Sequence, residues 1–210
     1  MIGVYGGTFD PIHYGHLRPA LEIYQRLALT QIRFIPARNP PHRGIPSASA
    51  EQRMAMLRLA IEGQPGFVAD DRELRRPGPS YMVDTLRSLR EDFPDQPLAL
   101  ILGLDAFLGL PGWNRWEQLP DLAHLIVSRR PGCRSRWPEP LEPFVRSRMV
   151  GEPRELNTGP EGRLLFLDTV QLEISATAIR TQIAEGDDPR FLLPDTVLDY
   201  IRREGLYGIV

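Results

Sequence analysis

The groups best suited to chemistry crowd into Gly6-Gly7-Thr8-Phe9-Asp10-Pro11-Ile12-His13-Tyr14-Gly15-His16. Two imidazoles stand three residues apart, beside glycines that let backbone approach a ligand. The segment follows a short apolar strand, Ile2 to Tyr5, and leads into a helical pattern. Unpaired N–H groups and the helix dipole make such a strand-to-helix turn a natural phosphate site. His13 and His16 at this spacing could share one side of a helix start. Half of a metal site or a purely structural pair would fit the same spacing, but no cysteine partners or His-Glu-x-x-His motif accompany them.

Ser175-Ala176-Thr177-Ala178-Ile179-Arg180 offers a second anion-ready helix start. Ser175 is a natural N-cap, and Arg180 one turn on can reach back toward an anion. An ordinary capped helix with an exposed arginine is the plainer alternative. After the second strand comes a proline-stiffened loop with Asn39, His42 and Arg43, suited to phosphate oxygens or to plain solvent exposure. Gly103-Leu104-Asp105 ends the most apolar strand. Asp105 there could accept from ribose hydroxyls or cap a helix. Trp113, between Gly112 and Asn114, is expected to stack on a planar ligand, whereas Trp116 is expected in the core and His124 in a structural role.

Alternating patterns must position these groups. Strands are predicted at 2–5, 32–35, 67–69, 98–102, 122–127 and 164–167. Helices are predicted at 17–29, 50–61, 81–89 with Ser80 as N-cap, 176–184 and 195–203. The continuous run Leu98 to Leu102 suits a strand covered on both faces. Pro131 to Pro143 reads as a surface excursion. The order implies an α/β, doubly wound parallel sheet in a single domain, 1–210, with a helical C-terminal part from Ala176 to Val210. Ligands in such sheets bind outside the carboxyl ends of the strands.

Composition narrows the chemistry. All 25 basic residues are arginine, which excludes a Walker-A lysine and a Schiff base. Cys133 is the single cysteine, so neither an intrachain disulfide nor a multi-cysteine zinc site can form. The net charge of −2 and the lack of a basic aromatic stripe argue against nucleic-acid binding. No apolar run reaches the roughly 18 residues of a membrane span, and no secretory leader pattern opens the chain, so a cytoplasmic location is expected.

With these motifs the chain resembles the His-x-Gly-His nucleotidyltransferases, and among them the bacterial nicotinate-nucleotide adenylyltransferases. Carrying the resemblance are Gly6 to His16, Pro40-Pro41-His42-Arg43, Arg72-Glu73-Leu74, Pro79-Ser80-Tyr81, Gly103-Leu104-Asp105, Trp113, Ser128 to Gly132, Ile174 to Thr177 and Gly205-Leu206-Tyr207. Two departures stand out. The usual Ile-Ser-Ser-Thr reads Ile174-Ser175-Ala176-Thr177, and Arg43 replaces a common lysine.

The resemblance implies a Rossmann-like nucleotidyltransferase fold and adenylyl transfer from ATP to nicotinate mononucleotide. His16, His13 and Arg180 become the catalytic set. Gly6, Gly7, Thr8, Phe9, Gly103, Asp105, Arg130, Ile174, Ser175 and Thr177 join them around ATP. Asn39, His42, Arg43, Tyr81, Met82, Thr85, Trp113 and Asn114 become the mononucleotide set. Mg²⁺ would arrive on the ATP phosphates without protein ligands. Alternatives are nicotinamide mononucleotide or phosphopantetheine as acceptor, or a nucleotide-binding regulator without turnover. Acid against amide preference follows from the resemblance alone, and a homo-oligomer is compatible with it.

Overall fold

Seven parallel strands make one sheet, ordered β3-β2-β1-β4-β5-β7-β6. The computed structural model describes residues 1–40, 44–132 and 137–208. Along the chain run β1 (Ile2–Gly7), α1 (Tyr14–Arg26), β2 (Gln31–Pro36), α2 (Ala50–Ile61), β3 (Phe67–Ala69), α3 (Arg72–Arg75), α4 (Met82–Asp92) and β4 (Leu98–Gly103). There follow α5 (Leu104–Leu108), β5 (His124–Arg129), α6 (Leu141–Arg148), β6 (Met149–Val150), β7 (Leu164–Asp168), α7 (Ala176–Glu185) and α8 (Asp195–Arg203).

Strand β4 shows why the sheet is covered on both sides. Ala99 and Ile101 join one apolar cluster with Ile23, Phe34, Leu57, Ile179 and Val197. Leu98, Leu100 and Leu102 join the other, with Leu86, Phe107, Val127 and Leu141. Successive side chains of a strand point to opposite faces, so a run with no polar interruption demands helices on both. Helices α1, α2, α7 and α8 cover the first face, and α4, α5 and α6 the second. The expected α/β doubly wound parallel sheet is the fold observed.

The sheet also builds the cleft. β1 pairs with β2 through Gly7↔Pro36, but its pairing with β4 stops at Val4↔Leu100. Past that point the two central strands part. Their crossovers leave in opposite directions, so the order reverses between β1 and β4. Ligand crevices form at such a switch point.

Several boundaries differ from the sequence reading. Helix α1 begins at Tyr14 rather than Leu17, because His13 in extended backbone serves as its N-cap. Helix α4 begins at Met82 with Tyr81 at the cap. Ser80 is not its N-cap: its hydroxyl accepts from the Arg38 and Asn39 amides at 2.9 and 3.3 Å. The proposed excursion from Pro131 to Pro143 runs into α6 at Leu141, whose side chain is fully buried. Asp105 caps no helix; Gly103 occupies the cap of α5. Trp116 and His124 are buried as expected, His124 bridging the Gly159 carbonyl at 3.0 Å and the Arg163 amide at 3.2 Å. Among the described residues no helix is long and apolar enough to cross a membrane.

Candidate active site

A cavity of about 1180 Å³ opens at the split between β1 and β4. Gly6 and Gly7 at the end of β1 and Leu102 and Gly103 at the end of β4 form its floor. From β1 the chain turns through Thr8, Phe9 and Asp10 into His13. Phe9 is 2% exposed and sits at φ 50°, a left-handed conformation that L-residues hold only when packing enforces it. Tyr5, Phe34 and His16 surround its ring, with centroids 5.2 to 6.2 Å away.

The two imidazoles lie on one side of the first turn of α1, with ring centroids 3.8 Å apart. Nδ1 of His16 accepts from the His13 amide at 3.4 Å, which places the ring proton of neutral His16 on Nε2. His13 is 4% exposed, and burial pulls its pKa down to about 4. Its Nδ1 is buried with no hydrogen-bond partner among the described residues. A buried polar atom left unpaired is costly, and this one belongs to a residue lining a ligand-sized cavity. Gly15 between the histidines is required by contact. A Cβ there would come within 2.9 Å of the His13 ring and 3.2 Å of the Ile174 carbonyl.

That contact brings in the other end of the chain. Ile174, Ser175, Thr177 and Arg180 line the same cavity as His13 and His16. Ser175 caps α7 as expected, its hydroxyl accepting from the Ala178 amide at 3.1 Å. The amides of Ala176 and Thr177 have no partner within the helix and stand at the cavity, as an anion requires. Arg180 donates to the Asp10 carbonyl at 2.7 Å and lies 3.4 Å from the Thr177 hydroxyl. Two helix starts that lie far apart in sequence thus face one space.

Tyr81, Met82, Trp113 and Asn114 line the opposite part, with Asp105 and Gly103 between. Trp113 is half-buried and reaches the second core cluster on one side. Met82 lies so close over β1 that a Cβ on Gly6 would meet its Cε at 2.4 Å. The Met82 and Val83 amides have no partner inside α4.

Three expected residues stand elsewhere. Thr85 is fully buried and donates its hydroxyl to Glu73 at 2.5 Å, behind the wall rather than on it. Asn39 is exposed and donates its side-chain amide to the Gly78 carbonyl at 3.0 Å. Arg130 is exposed and paired with Glu173. His42 and Arg43 lie outside the described residues.

The sequence reading gave no role to Glu73 or to Arg53. Glu73 lines the cavity at 3% exposure, and burial pushes its carboxyl pKa up against the Thr85 hydroxyl bond. Arg53, 1% exposed, donates to the Thr8 carbonyl at 2.7 Å and fixes the turn from beneath. A charge in the middle of an amphipathic helix was the one available signal for it.

The profile of the cytidylyltransferase-like family matches residues 4–182. A probable nicotinate-nucleotide adenylyltransferase of Methylococcus capsulatus is 50% identical over 209 residues, covering 99% of this chain and 100% of its own. One from Halorhodospira halophila is 50% identical over 207 residues, covering 99% and 95%. The nicotinic acid mononucleotide adenylyltransferase of Plasmodium falciparum, solved with APC and with NaAD, superposes with a TM-score of 0.74 over 100% of this chain and 98% of that one, at 18% identity. The fold is therefore shared with a distant structure, and the sequence with relatives along its whole length: the chain belongs to the cytidylyltransferase-like family and, within it, to the bacterial nicotinate-nucleotide adenylyltransferases.

Proposed function

We propose that the protein transfers the adenylyl group of ATP to nicotinate mononucleotide, releasing pyrophosphate and forming nicotinate adenine dinucleotide. The observation that carries this reading is the convergence of His13, His16 and the α7 start, with Arg180, on a cavity whose far wall presents Trp113. In the reaction a phosphate oxygen of the mononucleotide bonds to the α-phosphorus as the bond to pyrophosphate breaks. The attacking group is already an anion, so no strong base is needed. The barrier lies in aligning two anions and holding the charge that moves to the leaving group.

The residues divide accordingly. His16 Nε2 donates to the phosphates nearest the reacting centre. The unpaired Nδ1 of His13, in the tautomer that carries its proton there, donates to a triphosphate oxygen. Arg180, Ser175 and the Ala176 and Thr177 amides receive the pyrophosphate. Asp105 meets ribose hydroxyls, and Trp113 stacks on the pyridine ring with the Met82 and Asn114 region near its carboxylate. No cluster of three or more metal-binding side chains stands among the described residues. Mg²⁺ would be carried on the triphosphate oxygens, where it offsets their charge.

The test is pyrophosphate release with ATP, Mg²⁺ and, in parallel, nicotinate mononucleotide, nicotinamide mononucleotide and phosphopantetheine. Preferred turnover of the nicotinate compound is expected. Turnover of phosphopantetheine alone, or ATP binding by calorimetry without release from any acceptor, overturns the proposal.

A further inference from the structure

The carboxylate of Asp10 is 4% exposed and stands where four parts of the chain meet. Its Oδ2 accepts from the Ser47 amide at 2.7 Å, and its Oδ1 from the Ala48 amide at 3.1 Å. The second partner of Oδ1 is the Tyr207 hydroxyl at 2.7 Å, 197 residues away. Arg180 Nη1 binds the Asp10 carbonyl at 2.7 Å and lies 3.9 Å from Oδ2. Tyr207 holds φ 63°, a left-handed backbone in the last described turn. A strained residue near a chain end stays in place only when its contacts fix it. Burial and the adjoining carboxylate raise the phenol pKa, so Tyr207 remains the donor of this bond.

We infer that Tyr207 is a positioning residue for adenylyl transfer: by donating to Asp10 it holds Arg180, and the turn leading to His13, in the geometry that grips the triphosphate. The inference rests on the adenylyl-transfer reading above. The physical reason is that Asp10 offers Arg180 two oxygens, one from the main chain and one from the side chain. A carboxylate that loses a donor can rotate or draw Arg180 inward as a replacement. Arg180 already holds the Asp10 carbonyl through Nη1; were its Nη2 also drawn onto the carboxylate, no part of the guanidinium would remain aimed at the leaving pyrophosphate. Charge-assisted bonds of this kind are strong enough to redirect a guanidinium. The last described turn packs on α7, where a Cβ on Gly208 would lie 3.6 Å from Ala184, so Tyr207 is tied to the helix that carries Arg180.

The experiment is a double-mutant cycle of Tyr207→Phe with Arg180→Lys, run on the full chain with ATP, Mg²⁺ and nicotinate mononucleotide. Melting curves set the temperature so that every variant is folded. Tyr207→Phe is expected to lower kcat about 10-fold, within the roughly 100-fold that an ångström of misplacement can cost. The KM for the mononucleotide is expected to hold within about 2-fold. In the Arg180→Lys background the same change is expected to cost less than about 2-fold, because the group it positions is already altered. An unchanged kcat, or an equal loss in both backgrounds, overturns the inference, since stabilisation alone gives additive effects. If Tyr207→Phe does not fold, Tyr207→Leu, which also lacks the hydroxyl but does not touch Arg180, enters the cycle in its place and is read the same way. If the wild-type chain releases no pyrophosphate, the adenylyl-transfer reading fails, and the cycle read on the ATP dissociation constant still decides the linkage.

Discussion

The two halves of the cavity are built differently. The half facing His13, His16 and Arg180 is tied together by buried polar groups: the charges of Asp10 and Arg53 and the neutral phenol of Tyr207 join segments from both ends of the chain under one turn. The half facing Tyr81, Met82, Trp113 and Asn114 is made of the start of α4 and the short segment around Trp113, partly exposed and backed by apolar packing. Preorganised charge stabilises a transition state, whereas an apolar wall binds ground and transition states alike. The contrast teaches that changes on the first side should appear in kcat, and changes on the second in KM.

His16 gives the largest separation of the two. Removing a preorganised donor costs roughly 10²–10³ in turnover. His16→Ala is expected to lose that much in kcat, with the KM for nicotinate mononucleotide little altered. Steady-state pyrophosphate release checks it, and near-normal turnover would erase the distinction between the halves.

The charged half should also show in pH. Burial lowers the His13 pKa to about 4, from 6.5 in an unfolded chain. Between those values the unfolded state binds the proton and the native state does not. Stability therefore falls as pH drops from about 6.5 toward 4, by up to about 1.4 kcal/mol per pH unit for this one group. His124, also lowered by burial, adds in the same direction. His13→Gln removes the first contribution alone. Denaturant midpoints at pH 7 and pH 5 should differ less in this variant than in the wild type. An identical difference would show that His13 is not held neutral by its surroundings.

The sequence revealed these halves unequally. The sheet was legible because Leu98 to Leu102 is apolar without interruption and helical patterns separate the strands. The His13–His16 turn and the Ser175 cap were legible because helix starts have local signatures. Illegible were the partners of polar side chains. Asp10 and Tyr207 meet across 197 residues, and nothing periodic records that. Thr85 joined the mononucleotide set through the family resemblance alone, and no sequence pattern announces that its hydroxyl meets Glu73. Nor does the sequence show that the exposed side chains of Arg130 and Asn39 meet Glu173 and the Gly78 carbonyl. Residue type and spacing locate a helix end, whereas tertiary contact decides which oxygen a donor meets.

A smaller change sharpens the comparison within the charged half. Ser175 contributes one neutral hydrogen bond that caps α7. Ser175→Ala should cost about 1 kcal/mol of stability, a fall of roughly 2–4 °C in Tm for a chain of this size. Ala176 and Thr177 keep their amides, so kcat should fall far less than in His16→Ala. Calorimetric melting beside the same activity assay reads both. A loss of turnover matching that of His16→Ala would mean the hydroxyl itself holds the leaving group.

The apolar half supplies the smallest effect and the cleanest inversion. Trp113 is half-buried, and its flanking Gly112 and Asn114 are exposed, so truncation leaves no sealed cavity behind. Aromatic stacking is worth about 0.5–1.5 kcal/mol beyond area burial. That corresponds to a rise of about 2- to 12-fold in the KM for nicotinate mononucleotide on Trp113→Ala. The KM for ATP and the kcat should stay near wild type, since no charge moves on the pyridine ring as the phosphorus bond changes. Trp113→Phe keeps a flat ring and should recover most of the loss. Full kinetics in both substrates decide it. A defect confined to ATP would place the adenine, not the pyridine, against this wall and exchange the roles of the two halves.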